Sequence, residues 1–147
     1  MNKILLDSNI FVYSFDMREP EKRDTARRIL DALGDQAVIS AQVIIECFNV
    51  LTRKVVPRWT RKDAYAALSK MAASLEVIPA DAELVRSAMN LSARYELSIW
   101  DAMIVAAALR AGVKEVYSED LAGAEYAGVR IVDPFTDPQV AQRLAKP

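Results

Sequence analysis

Four carboxylates stand where a solvated surface role accounts for them only one at a time: Asp7, Glu46, Asp101 and Asp120. Asp7 closes the apolar run KILL, and Asp120 follows a short apolar run in VYSED. Glu46 lies in QVIIECFNVL, and Asp101 is the one charge in LSIWDAMIVAAAL. A charge is tolerated in an interior only when something compensates it. Singly, each acid has a structural job. Asp7 suits a helix cap, although Ser8 or Asn9 would serve as well. Glu46 shares a polar helical stripe with Gln42, Asn49 and Arg53, and the flanking Val43 and Val50 suggest that the stripe faces a cleft. Ser98 and Asp101 have the spacing of a capping box. Asp120 stands beside Glu119 in a polar loop, and the sequence does not separate the two. Together the four point elsewhere. Two carboxylates about 4 Å apart repel by roughly 4 kcal/mol at an effective dielectric near 20. Such a cluster wants a divalent cation, and all-oxygen ligation favours magnesium, with manganese as a substitute.

Composition narrows the chemistry further. The 147 residues contain no histidine and one cysteine, Cys47. Ser-His-Asp and Cys-His catalysis in their usual forms are excluded, as are His-bearing zinc sites and thiolate cages. An enzyme built from this chain works with carboxylates, hydroxyls, Lys and Arg, and a hard metal ion. The net charge of −1 gives no overall attraction to nucleic acid, so any such contact needs a local basic patch. One cysteine forms no intrachain disulfide, which fits a reducing compartment. The N-terminal apolar run is too short for a signal peptide, and the longest apolar run, 102–109, is far too short to span a bilayer. A soluble, cytoplasmic protein is expected.

The elements that must position the acids follow from periodicity and capping signals. Strands are predicted at 3–6, 36–39, 75–78, 115–117 and 129–132. Helices are predicted from Ser8 through Tyr13, at 20–33 with Pro20 in the first turn and Gly34 as the stop, at 41–54 after Ser40, and from Thr60 to about Ala73. Two more follow, capped by Asp81 and Ser98, the second apolar all round and therefore buried. The tail from Thr136 offers at most a short helix. Apolar residues make up 52% of a length suited to one domain. The expected fold is α/β: one domain over 1–135, a central, mostly parallel sheet of about five strands with helices on both faces, and a tail at 136–147 that either joins it or is loosely ordered. In such folds ligands bind beyond the carboxyl ends of the strands. Asp7 and Asp120 follow strands one and four, Glu46 lies early in the helix after strand two, and Asp101 opens the helix into strand four.

The segments LLDSNIFVYSFD, ISAQVIIECFNVL, LSIWDAMIVAAAL, YSEDL and GVRIVDPF, in this order and spacing, resemble PIN-domain ribonucleases, most closely the VapC-like toxins of bacterial toxin–antitoxin pairs. The resemblance covers about residues 3–135. It implies a magnesium-dependent endoribonuclease whose four catalytic acids are Asp7, Glu46, Asp101 and Asp120. Asp7 and Asp101 would ligate the metal directly and Asp120 directly or through water. Glu46 would orient the attacking water or hold a second ion, so one-metal and two-metal schemes both remain open. Asn9 matches a residue supporting the first acid. Ser118 stands where threonine is common and keeps the hydroxyl. Asp133 replaces a common asparagine before Pro-Phe, which alters a turn. The family also implies a homodimer and a cognate antitoxin whose C-terminal segment blocks the cleft.

RNA would find its basic patch in RKVVPRWTRK, where Arg53, Arg58, Arg61 and Lys62 suit phosphate contact and Trp59 could stack on a base. The same charges also suit a solvated loop, and Trp59 a protein interface. The alternative from another class is a non-catalytic magnesium-binding regulatory or scaffold domain, such as a receiver. That needs an aspartate ending the third strand, where VIPAD offers only Asp81, better read as a cap. A phosphatase with an aspartate nucleophile needs a second acid two residues after the first, and Asp7-Ser8-Asn9 lacks it.

Overall fold

The computed structural model describes residues 2–121 and 123–146. The chain alternates strands and helices: β1 (Ile4–Leu6), α1 (Ser8–Phe15), α2 (Pro20–Leu33), a 3-10 turn, β2 (Ala37–Ser40), α3 (Ala41–Arg53), α4 (Arg61–Ser74), β3 (Glu76–Ile78), α5 (Ala82–Tyr95), α6 (Ile99–Arg110), β4 (Glu115–Tyr117), β5 (Glu125–Tyr126), β6 (Val129–Val132) and α7 (Pro138–Ala145). The sheet order is β3-β2-β1-β4-β6-β5. All pairings are parallel except β5 with β6. The sheet therefore has six strands where five were expected. The extra one, β5, is two residues long and joined to β6 by a tight turn, too short for an alternating pattern to register.

Most strand residues are buried because helices cover both faces, the arrangement that parallel sheets require. Successive side chains point to opposite faces. Leu5, Val38, Val116 and Ile131 pack with α5 and α6. Ile4, Leu6, Ile39, Tyr117 and Val132 pack with α1 to α4 and α7. Residues 102–108 of α6 are buried without interruption, as an all-apolar helix demands. The tail docks: Val140 of α7 is buried, and Arg143 donates to the Tyr117 hydroxyl at 3.2 Å.

The caps are local and follow the sequence closely. Ser40, Thr60, Asp81 and Ser98 each accept a backbone N–H from three residues on. Asp81 also pairs with Arg110 at 2.8 Å. It is thus a cap held by a salt bridge, which removes the acid that a receiver-like reading would need.

Chain order reverses between β1 and β4. Strands β2 and β3 build outward on one side of β1, and β4 and β6 continue on the other. The crevice at such a reversal, outside the carboxyl ends, is where this architecture binds ligands. The Asp7 N–H donates to the Tyr117 carbonyl at 3.0 Å, and the Ser118 N–H to Val132 at 2.9 Å, so the strand ends are stitched together there.

Candidate active site

Asp7 is the centre of the site. It follows β1 at the reversal, is only 4% exposed, and caps α1 by accepting the Ser8 N–H on Oδ1 at 2.7 Å. Its other oxygen accepts the hydroxyl of the fully buried Ser118, just past β4, at 2.7 Å. Burial pushes the Asp7 carboxyl up from 3.8 to about 6; the Ser118 and Ser8 bonds oppose this, while the negative charges of Glu46 and Asp120 add to it. The capping role and the site role are therefore held by one side chain.

Glu46 and Asp120 reach the same rim from different elements, where the charge of each acts on Asp7. Ser118 Oγ accepts the N–H groups of Asp120 at 3.2 Å and Leu121 at 3.3 Å, fixing the loop after β4. Asn9 Nδ2 donates to Asp120 Oδ2 at 3.4 Å, so Asn9 supports the fourth acid as well as lying beside the first. Glu46 stands on α3, whose N-terminus opens at this rim. Gln42 Nε2 donates to Glu46 Oε1 at 2.8 Å and to the Trp100 carbonyl at 3.2 Å. That amide ties α3 to the start of α6, where the Asp101 N–H is capped by Ser98 Oγ at 3.1 Å. Cys47 is buried beside Glu46 and Asp7. Its thiol is pushed up by desolvation and by both charges, so it is no thiolate nucleophile.

Glu119 and Asp120, inseparable in sequence, part company here. Glu119 turns to Lys22, 2.7 Å away, and the same ammonium lies over the Tyr13 ring at 4.8 Å. Asp120 turns to Asn9 and adds its charge to the field at Asp7. Asp133 makes the turn expected of it, accepting the Phe135 N–H at 2.9 Å.

Among the described residues, no group of three or more His, Cys, Asp or Glu side chains is arranged to hold a metal ion. The oxygen donors near Asp7 are nonetheless of the type that a hard cation takes. The Asn9 Oδ1 and Gln42 Oε1 atoms are buried acceptors with no hydrogen-bond partner. Both belong to residues that hold site carboxylates. Orphaned buried acceptors are costly, and beside like-charged carboxylates a cation relieves both penalties.

The basic segment is divided. Arg53, Arg58, Arg61 and Lys62 are exposed. Trp59 is half-buried: its ring packs edge-on to Phe15, with centroids 4.9 Å apart, and its backbone N–H donates to the Leu51 carbonyl at 3.0 Å. It anchors the link between α3 and α4 to the core, a role that depends on Phe15, 44 positions earlier and invisible to local pattern. The exposed tryptophan is instead Trp100, next to Asp101.

A mostly parallel sheet with Asp7 buried at its reversal point, under the charges of Glu46 and Asp120, defines an α/β domain with a candidate ligand crevice there. The PIN domain model matches residues 4–129, and the chain belongs to the PIN domain family. Solved structures of the same fold include VapC20 of Mycobacterium tuberculosis, described as a sarcin-ricin loop cleaving toxin. It is 20% identical, with a TM-score of 0.66, and the match covers 87% of this chain and 99% of that one. A toxin–antitoxin complex from Klebsiella pneumoniae gives 21% identity and 0.66 over 90% and 98% of the two chains. The DNA-bound VapBC of Salmonella typhimurium gives 22% and 0.63 over 89% and 97%. No curated protein sequence matches the chain. No helix among the described residues is long and apolar enough to cross a membrane.

Proposed function

We propose that this protein is a magnesium-dependent endoribonuclease acting as the toxin of a toxin–antitoxin pair. The observation that carries the reading is Asp7: a carboxyl buried at the reversal point, facing the charges of Glu46 and Asp120, and destabilised unless a cation is near. Asp7, Asp101 and Asp120 are the residues that would hold the ion. When bound, magnesium supplies a coordinated water of lowered pKa and stabilises charge on a phosphodiester.

The chain's own groups do the positioning. Ser118 fixes the Asp7 carboxylate and, through the Asp120 N–H, the loop carrying the fourth acid. Gln42 fixes Glu46, leaving its second oxygen to accept a proton from an attacking water. Arg61 and Lys62 occupy the first turn of α4, where cations oppose the helix dipole. A phosphate of the substrate offsets that cost, and Arg53 and Arg58 extend the same contact. The VapBC-type structural neighbours support one partner, an antitoxin that closes the crevice, and the resemblance to VapC-like toxins implies a second, another copy of this chain.

The test is cleavage of RNA by purified protein with magnesium and with chelator. Wild type should cleave only with the metal. Asp101→Asn and Asp120→Asn should keep native circular dichroism and lose cleavage. Cleavage by the folded Asp101→Asn protein at the wild-type rate would reduce Asp101 to a helix-end residue and overturn the assignment.

A further inference from the structure

Trp100 is 65% exposed, although the seven residues from Ala102 to Ala108 in the same helix are all buried. Single exposed apolar side chains are common and by themselves mean little. Three observations separate this one. Its backbone is clamped, because the Gln42 amide that holds Glu46 also binds the Trp100 carbonyl. It directly precedes Asp101 in the first turn of α6, so the indole is carried by the same rigid turn as a site acid. It is also unpartnered, since no ring or cation among the described residues packs on it, whereas Trp59 sits edge-on against Phe15.

Electrostatics says what such a group is for. Carboxylates line the rim, and a cation held among them would engage only the scissile phosphate, so the flanking nucleotides gain nothing from charge there. Holding a nucleic-acid strand there needs a contact indifferent to charge. An indole face supplies one, because every base has a π-face and stacking tolerates any sequence.

We propose that Trp100 is a substrate-contact residue, a platform on which a base next to the scissile phosphate of single-stranded RNA stacks. The proposal rests on the nuclease reading above. Stacking positions substrate and takes no part in bond breaking, so its loss falls on KM rather than kcat. Trp100→Ala should raise KM for a short single-stranded RNA roughly fivefold to hundredfold. Trp100→Phe should recover most of that.

The chain has two tryptophans, so Trp59→Phe leaves Trp100 as the only indole. Its fluorescence should be quenched on titration with a short 2′-O-methyl oligonucleotide. Anisotropy of the same oligonucleotide, labelled, reports binding to wild type and Trp100→Ala without the Trp59 change. Equal affinity and equal KM for wild type and a folded Trp100→Ala protein would overturn the proposal. So would a Trp100→Ala protein that binds normally but dissociates from a dimer in sedimentation, which would make the indole a protein-interface anchor. A wild type that cleaves RNA with no effect at Trp100 refutes this inference alone. A wild type that does not cleave, yet shows Trp100-dependent quenching, refutes the nuclease reading alone. Neither cleavage nor quenching refutes both.

Discussion

Replacing Asp7 by asparagine should stabilise the metal-free protein at neutral pH, although Asp7 caps a helix and accepts hydrogen bonds on both carboxylate oxygens. Its carboxyl titrates near 6 in the folded chain and near 3.8 when exposed. At about 1.4 kcal/mol per pH unit, the folded state carries a penalty of about 3 kcal/mol when the group is charged. The sign follows from proton binding. The folded state holds the proton more tightly, so below pH 3.8 both states are protonated and the penalty is absent. It grows as pH rises toward 6 and stands in full above it. Asparagine removes the charge and keeps an oxygen for the Ser8 N–H, but it disturbs the Ser118 bond, at about 1 kcal/mol. The net gain is about 2 kcal/mol at pH 7.5, or roughly 4–8 °C in Tm. At pH 3.5 only the lost bond remains, and the variant should be the less stable by about 1 kcal/mol. Urea unfolding with chelator at the two pH values measures both. Magnesium should invert the order at neutral pH, since a ligand at one hundred times its Kd stabilises wild type by about 2.7 kcal/mol and the amide variant by far less. A variant less stable than wild type at pH 7.5 with chelator, or a gain of the same size at both pH values, would refute the argument that Asp7 is a strained buried charge.

Ser118→Ala removes the bond that lowers the Asp7 pKa, so carboxyl 13C NMR should show Asp7 titrating above 6. It also strands two backbone N–H groups, at a cost of about 1–3 kcal/mol, and Ser118→Thr should restore both properties. Glu119→Gln should leave RNA cleavage intact while Asp120→Asn abolishes it, because Glu119 is engaged by Lys22 and Asp120 faces Asp7. Equal losses in the two would undo that distinction. Ala127 occupies the left-handed region, φ 52, in the turn before β6, and Ala127→Gly should stabilise by about 1 kcal/mol in urea unfolding.

Much of this protein could be read along the chain, because much of it is local. A cap acts over three residues, and Ser40, Thr60, Asp81 and Ser98 all announce the helices that follow them. An apolar helix must be buried, and 102–108 are. An acid directly after a parallel strand lies at the carboxyl-end rim, so the position of Asp7 after KILL is legible from the chain alone. Periodicity alone predicted a sheet covered on both faces. The two-residue β5 escaped because it has too few residues for any period.

What only the tertiary structure decided depends on groups distant in sequence. Ser118 meets Asp7 across 111 positions through the pairing of β1 with β4, and that contact, with burial, sets the state of the central carboxyl. Lys22, from α2, takes Glu119 away from its neighbour Asp120. Phe15 packs edge-on against Trp59 and half-buries it, while Trp100, inconspicuous beside an apolar run, is left in solvent and held by Gln42. In each pair the residue type states what a side chain can do. Which member of the pair is free to do it follows from desolvation and partners, and these exist only once the chain has folded.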